Sequence, residues 1–358
     1  MSKKRVLLGM SGGVDSSVSA VLLQKQGYEV IGCTMRLWET IDCEEESTCC
    51  GNTAIYDAKK VCDQIGIPHY TINCKAEFKE KVVDKFIQEY EKARTPNPCI
   101  ECNKYLKFGS FYQKAKELEC DYIATGHYAS IEFSEKYKQY VLKKCKEEKK
   151  DQTYFLYTIP KEMLEHIIFP LQNYTNKEEI RKIAKENNLD VAQKKDSQEI
   201  CFIPNNNYQD FLKKYGKTKQ PIGNIVLKDG TILGKHKGLI NYTIGQRKGL
   251  GIVYQKPLYV VELNKQKNEV VVGIEEQLYT NQLYAKNLNW QAIEPKNNEP
   301  IKCMAKIRYH AKTAKATIYL ENDKVKVIFE QPQRAITSGQ SVVFYDNNNI
   351  VLGGGKIS

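Results

Sequence analysis

A glycine-rich loop near the start of the chain constrains the fold more than any other feature. The apolar run Val6–Gly9 leads into "SGGVDSS" at 11–17, and an amphipathic stretch follows. Adjacent glycines let a backbone approach a phosphate closely, and the free amides of a helix N-terminus attract anions. An ordinary strand-to-helix turn with a serine cap is the competing interpretation, but it needs no glycine pair. We predict a phosphate-binding loop between a strand and a helix.

The loop lacks the Gly-Lys-Ser/Thr ending that places a lysine on a transferred phosphate. Ser11, Ser16 and Ser17 offer hydroxyl donors instead. Asp15 would repel a phosphate unless it caps the helix or reaches a magnesium ion. The loop is therefore expected to bind phosphates without activating the terminal one.

The rest of the first half alternates short apolar runs with amphipathic ones. Further strands are expected at Glu29–Thr34, Tyr70–Asn73 and Tyr122–Gly126, and a helix from Lys75 to Lys92. Such alternation predicts an α/β fold with a doubly wound parallel sheet, whose ligands bind at the carboxyl ends of the strands. The segments "YASIEF" and "YKQYVLKKC" are expected to add a hairpin to this sheet.

The second half has a different composition. Glycine-rich short β segments follow a proline-broken polar stretch, and the tail alternates apolar and polar residues between closely spaced turns. We expect a catalytic domain at 1–206, a small β-rich middle domain at 207–280 and a C-terminal antiparallel β-barrel at 281–358.

Charge and cysteine content narrow the class of protein. The net charge of +11 fits either a lysine-rich solvated surface or a polyanionic partner. Twelve cysteines in a chain of 358 residues suggest metal, redox or sulfur chemistry rather than a disulfide framework. No apolar run approaches the ~18 residues of a membrane span, so a cytoplasmic protein without membrane contact is expected.

Several motifs together point to a family. "SGGVDSS" resembles the pyrophosphate loop of ATP pyrophosphatases, which transfer AMP and retain pyrophosphate. With "ATGHYA", "KDQTYFLY", "GLINYTIGQRKGLGI", "ARTPNPCIECNKYLKFG" and "KKDSQEICFIP", nearly the whole chain resembles the tRNA-uridine 2-sulfurtransferases. The resemblance implies ATP and Mg²⁺, a tRNA with a wobble uridine, and a sulfur-relay or cysteine-desulfurase protein that donates persulfide.

The resemblance also implies catalytic roles. Cys201 would carry a persulfide, Cys102 would act as nucleophile or base, and the two would form a transient disulfide. Asp15 completes the implied catalytic set. Cys102 lies in a proline-rich loop that we expect to precede a helix, a position that favours a thiolate. Other cysteines are expected to be small buried apolar side chains: Cys33, Cys62, Cys120, Cys145 and Cys303.

Binding residues follow from the same motifs. The resemblance implies ATP contacts at Gly9, Met10, Ser11, Gly12, Gly13, Val14, Asp15, Ser16, Met35 and Gly126. It implies tRNA contacts at Asn97, Pro98, Cys99, His127, Asp151, Gln152, Thr153, Arg308, Tyr309 and Gln340. For Arg308 and Tyr309 the residues alone would favour a solvated barrel rim. The basic segment 235–248 fits either an RNA or donor contact or a structural role.

The sequence departs from the family pattern at Cys99, where the best-known members have an aspartate. Cys99, Cys102 and Cys201 could therefore hold an iron–sulfur cluster with one open iron, an alternative to the persulfide route. Zinc on the CxxC with Cys49 and Cys50 is a further possibility, and Cys43 lies beside them. No firm metal site is assigned.

Two other functions remain open at this point. An ATP-dependent amide or guanidine synthetase could use the same loop without needing the cysteine pair. A catalytically idle protein that binds RNA or carries a cluster would not need the intact "SGGVDSS".

Overall fold

The computed structural model describes residues 3–38, 52–194, 200–216 and 221–358. Seventeen strands lie within these ranges. In chain order they are β1 Arg5–Gly9, β2 Glu29–Arg36, β3 His69–Asn73, β4 Tyr122–Thr125, β5 Ser130–Ser134, β6 Gln139–Lys143, β7 Ile167–Ile168, β8 Gly223–Leu227, β9 Ile232–His236, β10 Tyr259–Asn264, β11 Glu269–Gly273, β12 Tyr279–Trp290, β13 Ile301–Lys306, β14 Ala314–Glu321, β15 Lys324–Arg334, β16 Ser341–Tyr345 and β17 Val351–Ile357.

Most helices cover the parallel sheet, and two of them include a π-helical stretch. The helices are α1 Val14–Lys25, α2 Asn52–Ile65, α3 (Lys75–Phe78, continued by Lys79–Val83 and Asp84–Glu91), α4 (Pro98–Cys102, continued by Asn103–Ser110 and Phe111–Glu117), α5 Lys177–Glu186 and α6 Tyr208–Tyr215. Short 3₁₀ turns occupy Thr153–Phe155, Lys161–His166, Asp190–Gln193, Pro204–Asn206, Leu239–Asn241 and Glu275–Leu278.

The first half is the predicted doubly wound sheet, in the order β3-β2-β1-β4-β7 with all strands parallel. Side chains of β1 alternate between the two faces, so Val6 and Leu8 enter one hydrophobic core and Leu7 the other. Because the strands are parallel, the carboxyl ends of β1, β2 and β4 lie at the same edge of the sheet. The prediction of the fold class is confirmed.

One element of the sheet prediction is wrong. β5 and β6 form a separate two-stranded antiparallel ribbon instead of extending the parallel sheet. Val141 of β6 packs into the core of the C-terminal barrel, while Leu142 packs into the core of the parallel-sheet half, called the catalytic half below because the predicted catalytic residues lie in it. The ribbon therefore lies between the two units, because its alternating faces serve two cores.

The second half contains two β structures. A four-stranded sheet has the order β10-β11-β8-β9, with β8 parallel to β11, and its core includes Ile225, Val260 and Val270. Strands β12 to β17 form a closed antiparallel barrel in the order β12-β15-β14-β13-β16-β17. Closure pairs β12 with β17 and leaves no unpaired strand edge in the barrel.

The catalytic half and the barrel share packed residues. Tyr154, which is fully buried, donates its hydroxyl proton to the Ser341 carbonyl at 2.9 Å and accepts the Ser341 amide at 3.2 Å. Asn289 of β12 donates to the carbonyl of Tyr157 at 2.7 Å. Val343 and Tyr345 of β16 belong to the same hydrophobic core as Tyr154. The barrel is therefore packed onto the catalytic half.

The predicted burial of five cysteines is confirmed for Cys33, Cys62, Cys145 and Cys303. Burial raises the pKa of each of these four thiols to about 12, which makes them poor nucleophiles near neutral pH. Cys120 is half-exposed, so the prediction is wrong for that residue.

Replacing Tyr154 with phenylalanine should lower the melting temperature by a few degrees. The substitution leaves the Ser341 amide and carbonyl without this partner in a buried position, which costs about 1–3 kcal/mol. Differential scanning calorimetry measures the effect. Tyr140→Phe is the control, because its side chain in β6 is 42% exposed. Equal melting temperatures for both variants would contradict the importance of this contact.

Candidate active site at the carboxyl edge of the sheet

The phosphate loop follows β1 directly, as predicted. Gly12 has a φ of +67°, and a Cβ there would lie 2.5 Å from the carbonyl oxygen of Ala54 at the start of α2. Gly13 caps α1 with an extended backbone and no side-chain cap. The loop therefore requires a glycine at Gly12 for conformation and space together.

The serine hydroxyls are used differently from the prediction. Ser16 and Ser17 are buried and donate to the carbonyl of Gly13, at 3.1 and 2.9 Å. Ser11 is exposed, and its amide donates to the Ser16 hydroxyl at 3.2 Å. The Ser11 hydroxyl lies 3.2 Å from the Ser16 hydroxyl, so all three hydroxyls bond within the loop, although Ser11 is also exposed to solvent.

Asp15 neither caps the helix nor stands alone. Its carboxylate accepts two bonds from Lys177 at 2.7 and 2.8 Å, and one from the Tyr128 hydroxyl at 2.9 Å. Of the two roles considered for Asp15, the helix cap is not observed, since α1 has no side-chain cap bond, and magnesium binding stays a prediction. The repulsion between Asp15 and a phosphate is instead offset by a lysine from α5.

Other predicted ATP contacts gather beside the loop. A Cβ on Gly126, after β4, would lie 3.1 Å from both the Asp15 carbonyl carbon and the Ser16 amide nitrogen. Gly126 therefore lies directly against the loop. Met35 lies near the end of β2, at the same edge of the sheet. Met10 and Val14 are buried in the core below the loop, so their side chains do not face that edge.

The two CxxC cysteines occupy different positions on α4. The Asn97 side chain caps this helix by accepting the Cys99 amide at 3.1 Å, and Pro98 occupies the first helical position. Cys99 is exposed in the first turn, whereas Cys102 is buried one turn further on. The expectation that Cys102 precedes a helix is wrong, because the proline starts the helix four residues earlier. The positive end of the helix dipole lies at Cys99.

Cys102 and Cys201 lie in one hydrophobic cluster despite their separation in sequence. The cluster also contains Phe78, Phe86 and Phe202. Cys102 is buried and Cys201 is half-buried at its border, directly after the C-terminal end of the undescribed range 195–199. Packing of α3, α4 and the 200–203 turn thus brings the two thiols to the same region.

No group of three metal-ligating side chains occurs within residues 3–38, 52–194, 200–216 and 221–358. That range includes Cys99, Cys102 and Cys201, so the proposed cluster receives no support from their placement. Cys43, Cys49 and Cys50 lie outside the described residues.

No helix within residues 3–38, 52–194, 200–216 and 221–358 combines the length and apolarity that a bilayer crossing requires.

Two of the predicted tRNA contacts face the interior. Asp151 and Thr153 are buried, and the Thr153 hydroxyl bonds both the Asp151 carboxylate at 2.7 Å and the Tyr345 hydroxyl at 3.1 Å. Burial raises the pKa of Asp151, an effect that Lys306 and Lys144 partly oppose. Gln152 is half-buried and accepts the Tyr128 amide at 2.9 Å. This segment links the loop side of the sheet to the barrel.

His127 and Gln340 also make internal contacts. The His127 ring bonds the Thr125 hydroxyl at 2.7 Å and lies among Phe108 and Phe169, so burial lowers its pKa well below the usual value. Gln340 donates from its side-chain amide to the Thr95 carbonyl at 2.8 Å. It thereby connects the barrel to the loop that precedes α4.

Arg308 and Tyr309 lie between β13 and β14, beside the catalytic half. The Tyr309 ring is 4.3 Å from that of Phe155, and Arg308 donates to the Arg334 carbonyl at 3.2 Å. Burial, then the nearby charges of Asp151, Cys145 and Cys99, raises the pKa of Tyr309. The predicted RNA-contacting pair of the barrel thus lies close to the CxxC helix.

The basic segment 235–248 has both buried and exposed parts. His236 is fully buried and its ring bonds the Asn268 carbonyl and the Gly238 amide. Leu239 and Tyr242 enter the core of the middle sheet. Its Lys and Arg side chains are exposed, so the segment is structural in part and leaves its charges at the surface.

Sequence reasoning missed three residues at the loop: Tyr128, Lys177 and Lys194. Lys194 donates to the Gly12 carbonyl at 3.1 Å and to the Asp57 carboxylate at 2.6 Å. Both lysines lie more than a hundred residues from the loop in sequence. Lys194 is the first residue of the "KKDSQEICFIP" motif, but neither that motif nor the sequence around Lys177 indicates a contact with the loop. Tyr128 lies within "ATGHYA", which offered a signal.

Family models match three consecutive ranges of the chain. They are described as tRNA methyl transferase HUP domain at residues 4–205, tRNA methyl transferase PRC-barrel domain at 209–274 and aminomethyltransferase β-barrel domain at 280–357. Among solved structures, NMN synthetase from Francisella tularensis matches with a TM-score of 0.33 and 18% identity over 54% of this chain and 66% of its own, too low to bear on function.

Two relatives match at full length. The tRNA-specific 2-thiouridylase MnmA of Clostridioides difficile (strain 630) is 51% identical over 99% of this chain and 98% of its own. The protein of the same name from Acetivibrio thermocellus is 52% identical over the whole of both chains. On this similarity, and on the matching domain series, the chain belongs to the family of tRNA-specific 2-thiouridylases, which are tRNA sulfurtransferases.

Proposed function

We propose that this enzyme converts the wobble uridine of tRNA to 2-thiouridine in two steps, using ATP and a persulfide on Cys201. The observation that carries the proposal is the placement of Cys102 and Cys201 in one cluster with α3 and α4. The phosphate loop follows β1, and the CxxC helix α4 packs on the same sheet through Phe108 and Phe111. The proposal requires one flipped base to reach both.

The first step activates the base. The uridine O2 attacks the α-phosphorus of ATP, a bond forms between them, and the bond to the β-phosphate oxygen breaks with its electron pair leaving on pyrophosphate. A poor leaving oxygen thereby becomes part of AMP. The loop between β1 and α1 retains the pyrophosphate through its amides. Asp15 is the loop carboxylate that would contact Mg²⁺, an ion that takes one or two carboxylates along with substrate phosphates, and it would share its oxygens between that ion and the Lys177 ammonium.

The second step transfers sulfur. The terminal sulfur of the Cys201 persulfide attacks C2, and AMP leaves with the C2–O bond pair. The Cys102 thiolate then attacks the Cys201 sulfur, which forms a Cys102–Cys201 disulfide and leaves the electron pair of the broken S–S bond on the thiolated base. A thiol reductant restores the two cysteines. A cysteine desulfurase or sulfur-relay protein reloads Cys201.

The RNA contacts follow from the same arrangement. The flipped base needs a receiving pocket, and extrusion costs a few kcal/mol. Asn97, Pro98 and Cys99 form the start of α4, and we assign the receiving pocket to them. Arg308 and Tyr309 on the barrel supply a guanidinium and an aromatic ring beside it. The contacts proposed at His127, Asp151, Gln152, Thr153 and Gln340 require those residues to exchange their present internal partners for RNA.

Replacing Cys201 with serine should abolish thiolation and leave pyrophosphate release intact. A hydroxyl carries no sulfane sulfur, but the first step does not use it. Nucleoside mass spectrometry of tRNA measures 2-thiouridine, and a coupled assay measures pyrophosphate. Cys120→Ser is the control, because Cys120 has similar exposure and lies outside the cluster. Thiolation that survives in Cys201→Ser would refute the persulfide route.

Replacing Cys99 with alanine discriminates the persulfide route from the iron–sulfur alternative. On the persulfide route, protein purified under anaerobic conditions contains no stoichiometric iron, and Cys99→Ala retains most of its thiolation activity. Iron and sulfide analysis with visible spectra provides the measurement. A charge-transfer band in the wild type that disappears in Cys99→Ala would favour the cluster instead.

Replacing Arg308 with alanine should lower the affinity for tRNA. It should also make that affinity less sensitive to the salt concentration. Loss of one phosphate contact lowers the slope of log K against log salt by about 0.7–0.9. Filter binding at several salt concentrations measures both quantities. Lys324→Ala is the control, because Lys324 is exposed at the start of β15, opposite Glu321 at the far end of β14. Equal slopes in the two variants would remove Arg308 from the RNA interface.

An ATP-dependent synthetase on the same loop is the competing function. It would retain turnover when both Cys102 and Cys201 are replaced, because its chemistry needs no thiol. Loss of all sulfur transfer in the double variant, with pyrophosphate release retained, favours the sulfurtransferase.

A further inference from the structure

The phosphate loop has no lysine of its own, yet two lysine side chains lie on it in the folded chain. Lys177 begins α5, and Lys194 follows the 3₁₀ turn Asp190–Gln193. Their ammonium groups contact Asp15 and Gly12 respectively. The segment between β7 and residue 194 therefore brings two positive charges to the phosphate loop. That loop otherwise presents backbone amides and one carboxylate.

The Lys177 contact is the more enclosed of the two. The side chain of Lys177 is 15% exposed and that of Asp15 is 30% exposed. Both carboxylate oxygens of Asp15 accept from this ammonium, and Tyr128 adds a third bond to the same carboxylate. Partial burial strengthens such a pair and limits the orientations of the long lysine side chain. The pair thus holds an ammonium beside the first turn of α1.

Lys194 approaches from the other side of the loop. Its ammonium donates to the Gly12 carbonyl at 3.1 Å and to the Asp57 carboxylate of α2 at 2.6 Å. The same Gly12 lies against Ala54 of α2. Lys194 therefore connects the loop to α2 by one ion pair and one hydrogen bond. Its side chain is 41% exposed, so it retains access to a ligand at the loop.

The hydroxyls of the loop do not supply the missing positive character. Ser16 and Ser17 donate inward to the Gly13 carbonyl. Pyrophosphate leaving from ATP gains negative charge, and backbone amides alone give it partial charges only. A lysine ammonium has three donor positions, so it can contact an anchoring carboxylate and an incoming phosphate oxygen together.

We propose that Lys177 and Lys194 bind the pyrophosphate leaving group, with Asp15 and Asp57 as positioning residues that hold the two ammonium groups at the loop before ATP arrives. The inference rests on the proposed function, because it assigns the charge that stabilises the bond breaking between the α-phosphorus and the pyrophosphate oxygen. It assigns to two distant residues the task that a lysine inside the loop performs in other phosphate-binding loops.

Direct binding of inorganic pyrophosphate tests the assignment independently of turnover. Isothermal titration in Mg²⁺ buffer should show affinity reduced about ten- to a hundredfold in Lys177→Gln, as expected for losing a hydrogen bond between charged groups. Lys177→Arg should restore most of it. Lys182→Gln is the matched control, because Lys182 is 77% exposed on the same helix. Wild-type affinity in a folded Lys177→Gln variant would overturn the role of Lys177.

Kinetics separate this inference from the proposed function. Wild-type enzyme that releases no pyrophosphate with ATP and unmodified tRNA would refute the proposed function, whatever the binding data show. Given wild-type release, Lys177→Gln and Lys194→Gln should lower its rate while tRNA affinity stays unchanged. Should Lys177→Gln fail to fold, the variants Lys194→Gln and Lys177→Arg test the assignment. Wild-type pyrophosphate affinity in Lys194→Gln would overturn it. Loss of pyrophosphate affinity in Lys177→Arg would also overturn it.

Discussion

The contact that the rest of the structure depends on is the packing of residues 153–157 between the sheet and the barrel. Tyr154 bonds the Ser341 backbone, and the Phe155 carbonyl accepts the Asn103 side chain of α4 at 3.1 Å. The Phe155 ring also meets Tyr309. One short segment therefore fixes the positions of the CxxC helix, the barrel and the proposed RNA-contacting pair Arg308 and Tyr309 relative to one another. The candidate site is divided among three regions of sequence, and this packing joins one of them, the CxxC helix, to the barrel.

The sequence predicted the features that arise from local periodicity. Strands β1 to β4 and the long helix from Lys75 appear as expected, because buried parallel strands and amphipathic helices leave distinct patterns. The hairpin of β5 and β6 was assigned to the wrong sheet, since its alternation shows two faces without showing which core each face meets. Tertiary packing of Val141 and Leu142 decides that point.

The candidate site was predictable in its motifs and less so in its contacts. The order of "SGGVDSS", the CxxC and the second cysteine identified the residues, but not which atoms they would contact. Cys102 was placed ahead of a helix because Pro96 and Pro98 read as a loop, whereas Pro98 begins the helix. The contacts of Lys177 and Lys194 with the loop escaped detection, because the sequence does not show that a lysine so far along the chain is brought to the loop by the fold.

The closure of the barrel has a consequence for how the chain matures during synthesis. β17 pairs with both β12 and β16, and its glycines at 353 and 354 lie against Trp290 and Tyr157. A nascent chain that has emerged only as far as β16 has no closed barrel against which Tyr157 can pack. The parallel sheet can form early on the ribosome, but the geometry around α4 is completed only when the final strand is released.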